Sequence, residues 1–190
     1  MAKISANIGN DFCPQTLFVY GTFKENGEAN FGLFCWFSYC WFDDMGVMAC
    51  IGGPKLTLER IRKTNVFSAN LVTKNILPLA DRFGTLNGYD AGKVSEAAKW
   101  QKGEKLNVPV LTESPVSFEL EVDKFIEIEG GTVLLCRVRN TLVDERLLDD
   151  GKSVEERIRE IAPVSMTCQT YFDWTGESLG KWHEPCKSLE

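Results

Sequence analysis

Histidine is nearly absent from this chain: His183 is the only one in 190 residues. Without a second imidazole or any Cys/His cluster, a zinc site and a histidine-dependent nucleophile lose their usual ligands and base. The seven cysteines (13, 35, 40, 50, 136, 168 and 186) are odd in number and form no Cys-x-x-Cys pair, which argues against a disulfide framework. Most lie in apolar, strand-like runs, where a free thiol behaves as a small hydrophobe. No apolar run approaches the ~20 residues that a membrane-crossing helix needs. The opening Met-Ala-Lys-Ile-Ser-Ala-Asn has no signal-peptide core. A reducing cytoplasm, with no membrane partner, is therefore the expected setting. Positive charge is also in short supply, with 21 Lys and Arg against 27 Asp and Glu, a net charge of −6. These cations are scattered, so nucleic acid is not an expected partner.

What is present is an ordinary globular composition, 44% hydrophobic and 25% charged, enough to bury a sizeable core. The length suits one domain over residues 1–190, with its core at about 12–182. No internal repeat or low-complexity segment interrupts it.

The pattern along the chain is mostly that of strands. Residues 16–23 are rich in β-branched and aromatic side chains, and the Asn26-Gly27 that follows is a hairpin signal. Residues 31–41 and 47–51 read as the next strands, joined across 43–46. A short helix is expected over 57–64, with Thr57 as its N-cap and Leu58 and Ile61 on its apolar face. Residues 66–72 return as a strand, and 75–83 read as helical with Pro78 tolerable in the first turn. The stretch 84–107 holds four glycines and reads as a surface excursion with a short helix around 93–100. Val116, Phe118, Leu120 and Val122 alternate with polar residues, the mark of a half-buried strand. The phase breaks at Asp123-Lys124, which predicts a bulge. Residues 132–138 come back antiparallel, a helix is expected near 154–161, and one more strand near 166–172. Seven or eight strands with two to four short helices, and no regular strand–helix alternation, point to a mainly β, antiparallel, Greek-key-like barrel.

Residues 30–57 carry the chemical interest. An aromatic strand, Phe31 to Ser38, is followed by Gly52-Gly53-Pro54-Lys55-Leu56-Thr57. The strand can line a flat apolar group. The glycine turn leading into a helix start can hold a phosphate, since unpaired N–H groups and the helix dipole favour an anion there. Each residue also has a plainer role open to it. Phe34, Trp36 and Phe37 suit barrel core, Thr57 suits a cap, Gly52-Gly53 suits a tight turn, and Lys93 suits a solvated surface. Asn70 suits a core polar group that bonds backbone, and His183 a surface position.

The ordered series Gly21-Thr22, Ala29-Asn30, Trp36, Ser38, Gly52-Gly-Pro-Lys-Leu-Thr57, Ile61, Thr64 and Phe67-Ser-Ala-Asn-Leu71 resembles the flavin reductase-like family, in its flavoredoxin-type branch. Gly88-Tyr-Asp-Ala-Gly-Lys93 is similar to that family's Gly-Arg-Asp-x-Asp-Lys segment. Glu113-Ser-Pro-Val116, Pro163-Val164, Tyr171-Phe172 and Gly176 to Lys181 extend the likeness over about residues 12–182. Departures fall at Tyr89, Gly92, Val94 and Thr132, the last standing where many relatives carry a histidine.

The resemblance implies an FMN-binding split β-barrel, usually a homodimer with the flavin near the subunit interface. It implies that Asn30, Phe34, Cys35, Trp36, Phe37 and Ser38 flank the flavin. Gly52, Gly53, Lys55 and Thr57 would meet its phosphate or ribityl chain, Lys93 would reach ring or phosphate, and Tyr171 or Phe172 would stack near the ring. Because a flavin carries its own redox chemistry, no catalytic acid or base and no metal are assigned. The expected activity is electron transfer from NADH, NADPH or a redox-protein donor through FMN to an acceptor. The alternatives are an FMN electron carrier without NAD(P)H turnover of its own, and a split barrel that has lost its flavin. No dinucleotide fingerprint decides between the first two.

Overall fold

The computed structural model describes residues 3–90, 94 and 98–189. A two-residue strand β1 (Gln15–Thr16) leads into β2 (Phe18–Phe23), which turns through Gly27, at φ 84°, into β3 (Ala29–Phe34). Then follow β4 (Phe37–Trp41), β5 (Met45–Gly52), helix α1 (Leu56–Thr64), β6 (Val66–Leu71) and helix α2 (Leu77–Thr85). The second half carries β7 (Trp100–Lys102), β8 (Pro109–Leu111), the long pair β9 (Val116–Ile128) and β10 (Gly131–Val143), and helix α3 (Val154–Ile161). It ends with β11 (Ser165–Thr167), β12 (Thr170–Phe172) and β13 (Ser178–Lys181).

The run expected as one strand over 31–41 is two strands on opposite edges of one sheet. Seven strands lie in the order β3-β2-β6-β9-β10-β5-β4, every pair antiparallel. Its outermost strands, β3 and β4, are joined by only Cys35 and Trp36. Two residues span too little distance to connect the edges of a flat seven-stranded sheet, so the sheet must curl until those edges meet. At the corner the Phe37 N–H donates to the Cys35 carbonyl (3.1 Å) and the Cys50 N–H to the Trp36 carbonyl (3.0 Å). The result is the mainly β, antiparallel barrel expected, with few short helices. A four-stranded sheet, β1-β11-β12-β13, and the small β7-β8 pair complete it.

Strand β2 shows why the fold is so apolar on this side. Phe18 and Tyr20 point into the barrel core with Val47, Ile51, Phe67, Leu120 and Leu134. Val19, and Leu17 just before the strand, point the other way, into a second core beneath α2 with Phe31, Leu77, Phe83, Val164 and Tyr171. Period-two alternation thus feeds two cores from one strand. Asn70 serves the junction as expected: its Nδ2 donates to the Val19 carbonyl (2.9 Å), and its Oδ1 accepts from the Leu111 N–H (2.9 Å) and the Ser117 hydroxyl (2.8 Å).

The bulge lies where the phase breaks, since Val122 pairs with Cys136 and Lys124 with Leu135, leaving Asp123 over. Helix α3 has the expected bounds because Ser153 and Glu156 form a capping box. Three expectations need correction. Helix α1 begins at Leu56 with Lys55 as N-cap, so Thr57 is the second helical residue and not the cap. Residues 166–172 are a hairpin, turned by Cys168 (φ 46°) and Gln169 (φ 59°) in the left-handed pair that a tight primed turn requires. Trp100 opens β7 rather than closing a helix, and four of the eight residues of the helix expected around 93–100 lie outside the described residues. Because several apolar runs split in this way, the described residues contain 13 strands.

Candidate functional site

Two adjoining cavities, each of about 260 Å³, share Leu33, Phe34, Lys55 and Gly84 and form one groove beside the barrel corner. Its two ends differ in chemistry. One end is the start of α1. Lys55 sits there with extended backbone (φ −137°, ψ 137°), and no side chain caps the helix. The first backbone bond into the helix is from the Glu59 N–H to the Lys55 carbonyl (3.0 Å), so the N–H groups of Leu56, Thr57 and Leu58 have no intrahelical acceptor. Lys55 makes no ion pair among the described residues. The facing wall is the end of α2 and the loop after it, from Phe83 to Gly88.

Glycines keep this end open. A Cβ on Gly32 would lie 2.9 Å from Phe34 Cε2 and 3.1 Å from Thr57 Oγ1. One on Gly88 would lie 2.7 Å from Leu56 Cβ and 3.3 Å from Asn30 Oδ1. Beneath them Asn30 is fully buried, and its Nδ2 donates to Thr22 Oγ1 and Thr57 Oγ1, both at 3.1 Å. Its Oδ1 is buried without a partner among the described residues. An unmet buried acceptor is costly, and it sits where the loop at Gly88 meets the groove.

The other end is apolar. Phe34, Cys35 and Trp36 from the corner, Cys50 and Gly52 from β5, Met166 from β11 and Trp182 from the C-terminal segment line it. Tyr20 backs Phe34 from inside the barrel, with the rings stacked at 4.5 Å. Burial pushes the Cys35 and Cys50 thiols above the ordinary cysteine value, so at neutral pH both stay protonated and line the wall as apolar groups. Gly53, at φ 65°, sets the turn between the two ends, and its N–H donates to the Gly130 carbonyl (3.1 Å). A polar, cationic pocket thus adjoins an aromatic slot, an arrangement suited to a planar ring bearing a phosphate.

A family model described as flavin reductase like domain matches residues 10–158. The chain belongs to the flavin reductase-like family. Membership supports a flavin-binding oxidoreductase, with a flavin as its cofactor. Among solved structures, flavoredoxin of Desulfovibrio vulgaris (Miyazaki F) aligns at TM-score 0.81 and 22% identity, over 96% of this chain and 98% of that one. Flavoredoxin from Methanosarcina acetivorans aligns at TM-score 0.81 and 21% identity, over 100% of both chains. An FMN-binding protein from Thermus thermophilus, solved with bound p-hydroxybenzaldehyde, aligns at TM-score 0.74 and 19% identity, over 95% of this chain and 97% of that one. At these identities the likeness is one of fold. No curated protein sequence matches the chain.

Within this flavin reductase-like fold, Phe34, Cys35, Trp36, Gly52, Lys55 and Thr57 line the groove, with Asn30 beneath it and Gly53 shaping its turn. Phe37 and Ser38 stand apart from them. They line a separate apolar cavity of about 420 Å³ between the barrel and α3, because the chain changes direction at Trp36. Tyr171 is fully buried in the core beneath α2, where its hydroxyl donates to Asp81 Oδ1 (2.7 Å). Phe172 faces another groove, with Asp173 and Trp174. Lys93 lies outside the described residues. Among the departures from the family pattern, Tyr89 donates its hydroxyl to Glu59 (2.8 Å), and buried Thr132 accepts from Arg62 (2.9 Å) and donates to Glu127 (3.1 Å).

The lining residues that a reading of the chain passes over are Gly32, Phe83 to Asn87, Cys50 and Trp182. Gly32 had a signal, since glycine inside a strand marks a close approach of backbone or ligand. Trp182 had none, because only tertiary folding brings the C-terminal segment to the corner.

Proposed function

We propose that this chain binds FMN in the groove and passes electrons from a reduced nicotinamide or redox-protein donor through the flavin to an acceptor. One observation carries the reading: a single groove joins an uncapped helix start, with Lys55 and Thr57 beside it, to an aromatic slot. The residues present fit that cofactor. The free N–H groups of Leu56, Thr57 and Leu58 and the Lys55 ammonium suit a phosphate. The unmet Asn30 Oδ1 suits a ribityl hydroxyl as donor. Phe34, Cys35, Trp36 and Gly52 suit an isoalloxazine edge and face. The flavin supplies the electron chemistry when bound. The chain's part is to hold the phosphate, fix the ring plane and keep protonated thiols, not thiolates, against it.

A homodimer belongs to the same reading. Tyr39, Trp41 and Met45 are 60%, 79% and 39% exposed on one face of the edge pair β4-β5, and Trp36, in the corner that leads into β4, is 54% exposed. An apolar patch of that kind next to the ring slot suits a second copy of the chain. Seven cysteines without a disulfide are in keeping with a reducing cytoplasm.

The test is the absorption spectrum of purified protein loaded with FMN, followed by anaerobic addition of NADH and then NADPH. Flavin bands that bleach within seconds support a nicotinamide-dependent reductase. Bands that persist until dithionite is added support an electron carrier supplied by a protein donor. No uptake of FMN overturns the reading.

A further inference from the structure

The apolar half of the groove is walled in part by a residue from the far end of the chain. The Trp182 N–H donates to the Gln169 carbonyl (2.7 Å), and its indole stacks on the His183 ring with centroids 4.4 Å apart. A Cβ on Gly84 would lie 3.4 Å from its Nε1, so the indole sits against the end of α2. It lines the same cavity as Trp36 and Phe34, which come from the barrel corner.

What keeps Trp182 there is a buried carboxylate. Asp81 on α2 is fully buried and accepts three hydrogen bonds. Tyr171 donates its hydroxyl to Oδ1 (2.7 Å), the His183 N–H donates to Oδ1 (3.0 Å), and the Cys186 N–H donates to Oδ2 (3.0 Å). One turn on, Thr85 Oγ1 donates to the Asp81 carbonyl (2.8 Å) and lies 2.6 Å from His183 Nδ1. Two of the three donors to Asp81 are backbone groups of the C-terminal segment. Were that segment to leave, a buried charge would keep Tyr171 alone, which is unfavourable. His183 also holds a left-handed backbone (φ 67°), a conformation a non-glycine residue keeps only when its surroundings impose it.

We propose that Trp182 is a ligand-contacting wall of the ring slot, stacked or edge-on against the isoalloxazine, and that Asp81 is the positioning residue that holds it there. The proposal rests on the FMN reading above. It assigns the C-terminal segment to the site and gives the buried Asp81 carboxylate, which accepts from two backbone N–H groups of that segment, a role there.

FMN titration of the full chain, followed by the quenching of flavin fluorescence, tests it. Trp182→Ala should weaken FMN about tenfold, the scale of one lost aromatic contact, and Trp182→Phe should restore most of it. Since Trp182 is partly exposed, these variants are expected to fold, and circular dichroism checks that they do. Asp81→Asn should also weaken FMN, and the double variant Asp81→Asn/Trp182→Ala should bind no worse than Trp182→Ala alone, because both changes remove one contact. Losses that simply add in the double variant would overturn the positioning role of Asp81. If Trp182→Ala binds as the wild type does, the wall assignment is overturned while the FMN reading stands. If the wild type itself takes up no FMN, both fall.

Discussion

Replacing Thr57 by alanine removes one hydroxyl that has two separable jobs. Its oxygen accepts from Asn30 Nδ2 at 3.1 Å, which leaves the hydroxyl proton free to donate into the groove. The Asn30 amide keeps its other acceptor, Thr22 Oγ1, also at 3.1 Å. Losing the Asn30 contact is therefore the loss of one neutral hydrogen bond, about 1 kcal/mol. For a chain of this length that lowers Tm by roughly 2–4 °C. A hydroxyl donating to a phosphate is charge-assisted and contributes about 1.5–3 kcal/mol. Its loss should raise the Kd for FMN by roughly ten- to 150-fold. Two measurements separate these effects: thermal melts without flavin, and fluorescence titration with FMN and with riboflavin, which has no phosphate. Thr57→Ala should weaken FMN strongly and riboflavin hardly at all, and Thr57→Ser should recover the FMN affinity. A lowered Tm with unchanged FMN affinity would falsify the phosphate assignment and leave Thr57 as a partner of Asn30 only.

Further expectations rest on other parts of the molecule. Lys55→Gln should weaken FMN several-fold in low salt and much less at about 1 M salt, where the Debye length falls to ~3 Å; an effect independent of salt would count against a charge contact with phosphate. Buried Glu119 accepts from Asn140 (2.9 Å) and from the N–H groups of Glu104, Lys105 and Leu106. Burial raises its pKa, but these four donors outweigh burial and leave it below the ordinary glutamate value. A lowered folded-state pKa gives stability that is present above the unfolded value and lost as pH falls through the folded one. Acid melts should therefore show the wild type losing stability below about pH 4.5, and Glu119→Gln, already less stable by about 2–4 kcal/mol at pH 7, losing less over the same range. Trp41→Lys should shift the mass by light scattering from about twice 21.4 kDa to that of one chain; a wild type that already runs as one chain would remove the dimer reading.

Much of the fold could be read from local pattern because local physics sets it. The Asn26-Gly27 turn, the Ser153/Glu156 capping box and the phase break at Asp123 each depend on residues a few positions apart. The structure has all three. The groove was legible in part for a related reason. Gly52 to Thr57 is a contiguous segment, so its turn and helix start arrive together whatever the rest of the chain does.

What the chain alone could not decide was where continuous apolar runs break and what meets across the fold. Residues 31–41 look like one strand because Phe31 to Trp41 are nearly all apolar, and burial beside either edge of a sheet looks the same in sequence. Only closure of the barrel makes Cys35 and Trp36 a corner, which sends Phe37 and Ser38 to another cavity. The hydroxyl of Tyr171 found Asp81, 90 residues away, and not the groove. Trp182 reached the groove through the same carboxylate. The sequence by itself determined most of the longer elements, the Asn26-Gly27 turn, the α3 cap and the anion-ready helix start, since these follow from neighbours along the chain. The tertiary structure decided which aromatic side chains share a cavity, because that depends on how the edges of a curled sheet and a distant C-terminal segment come together in space.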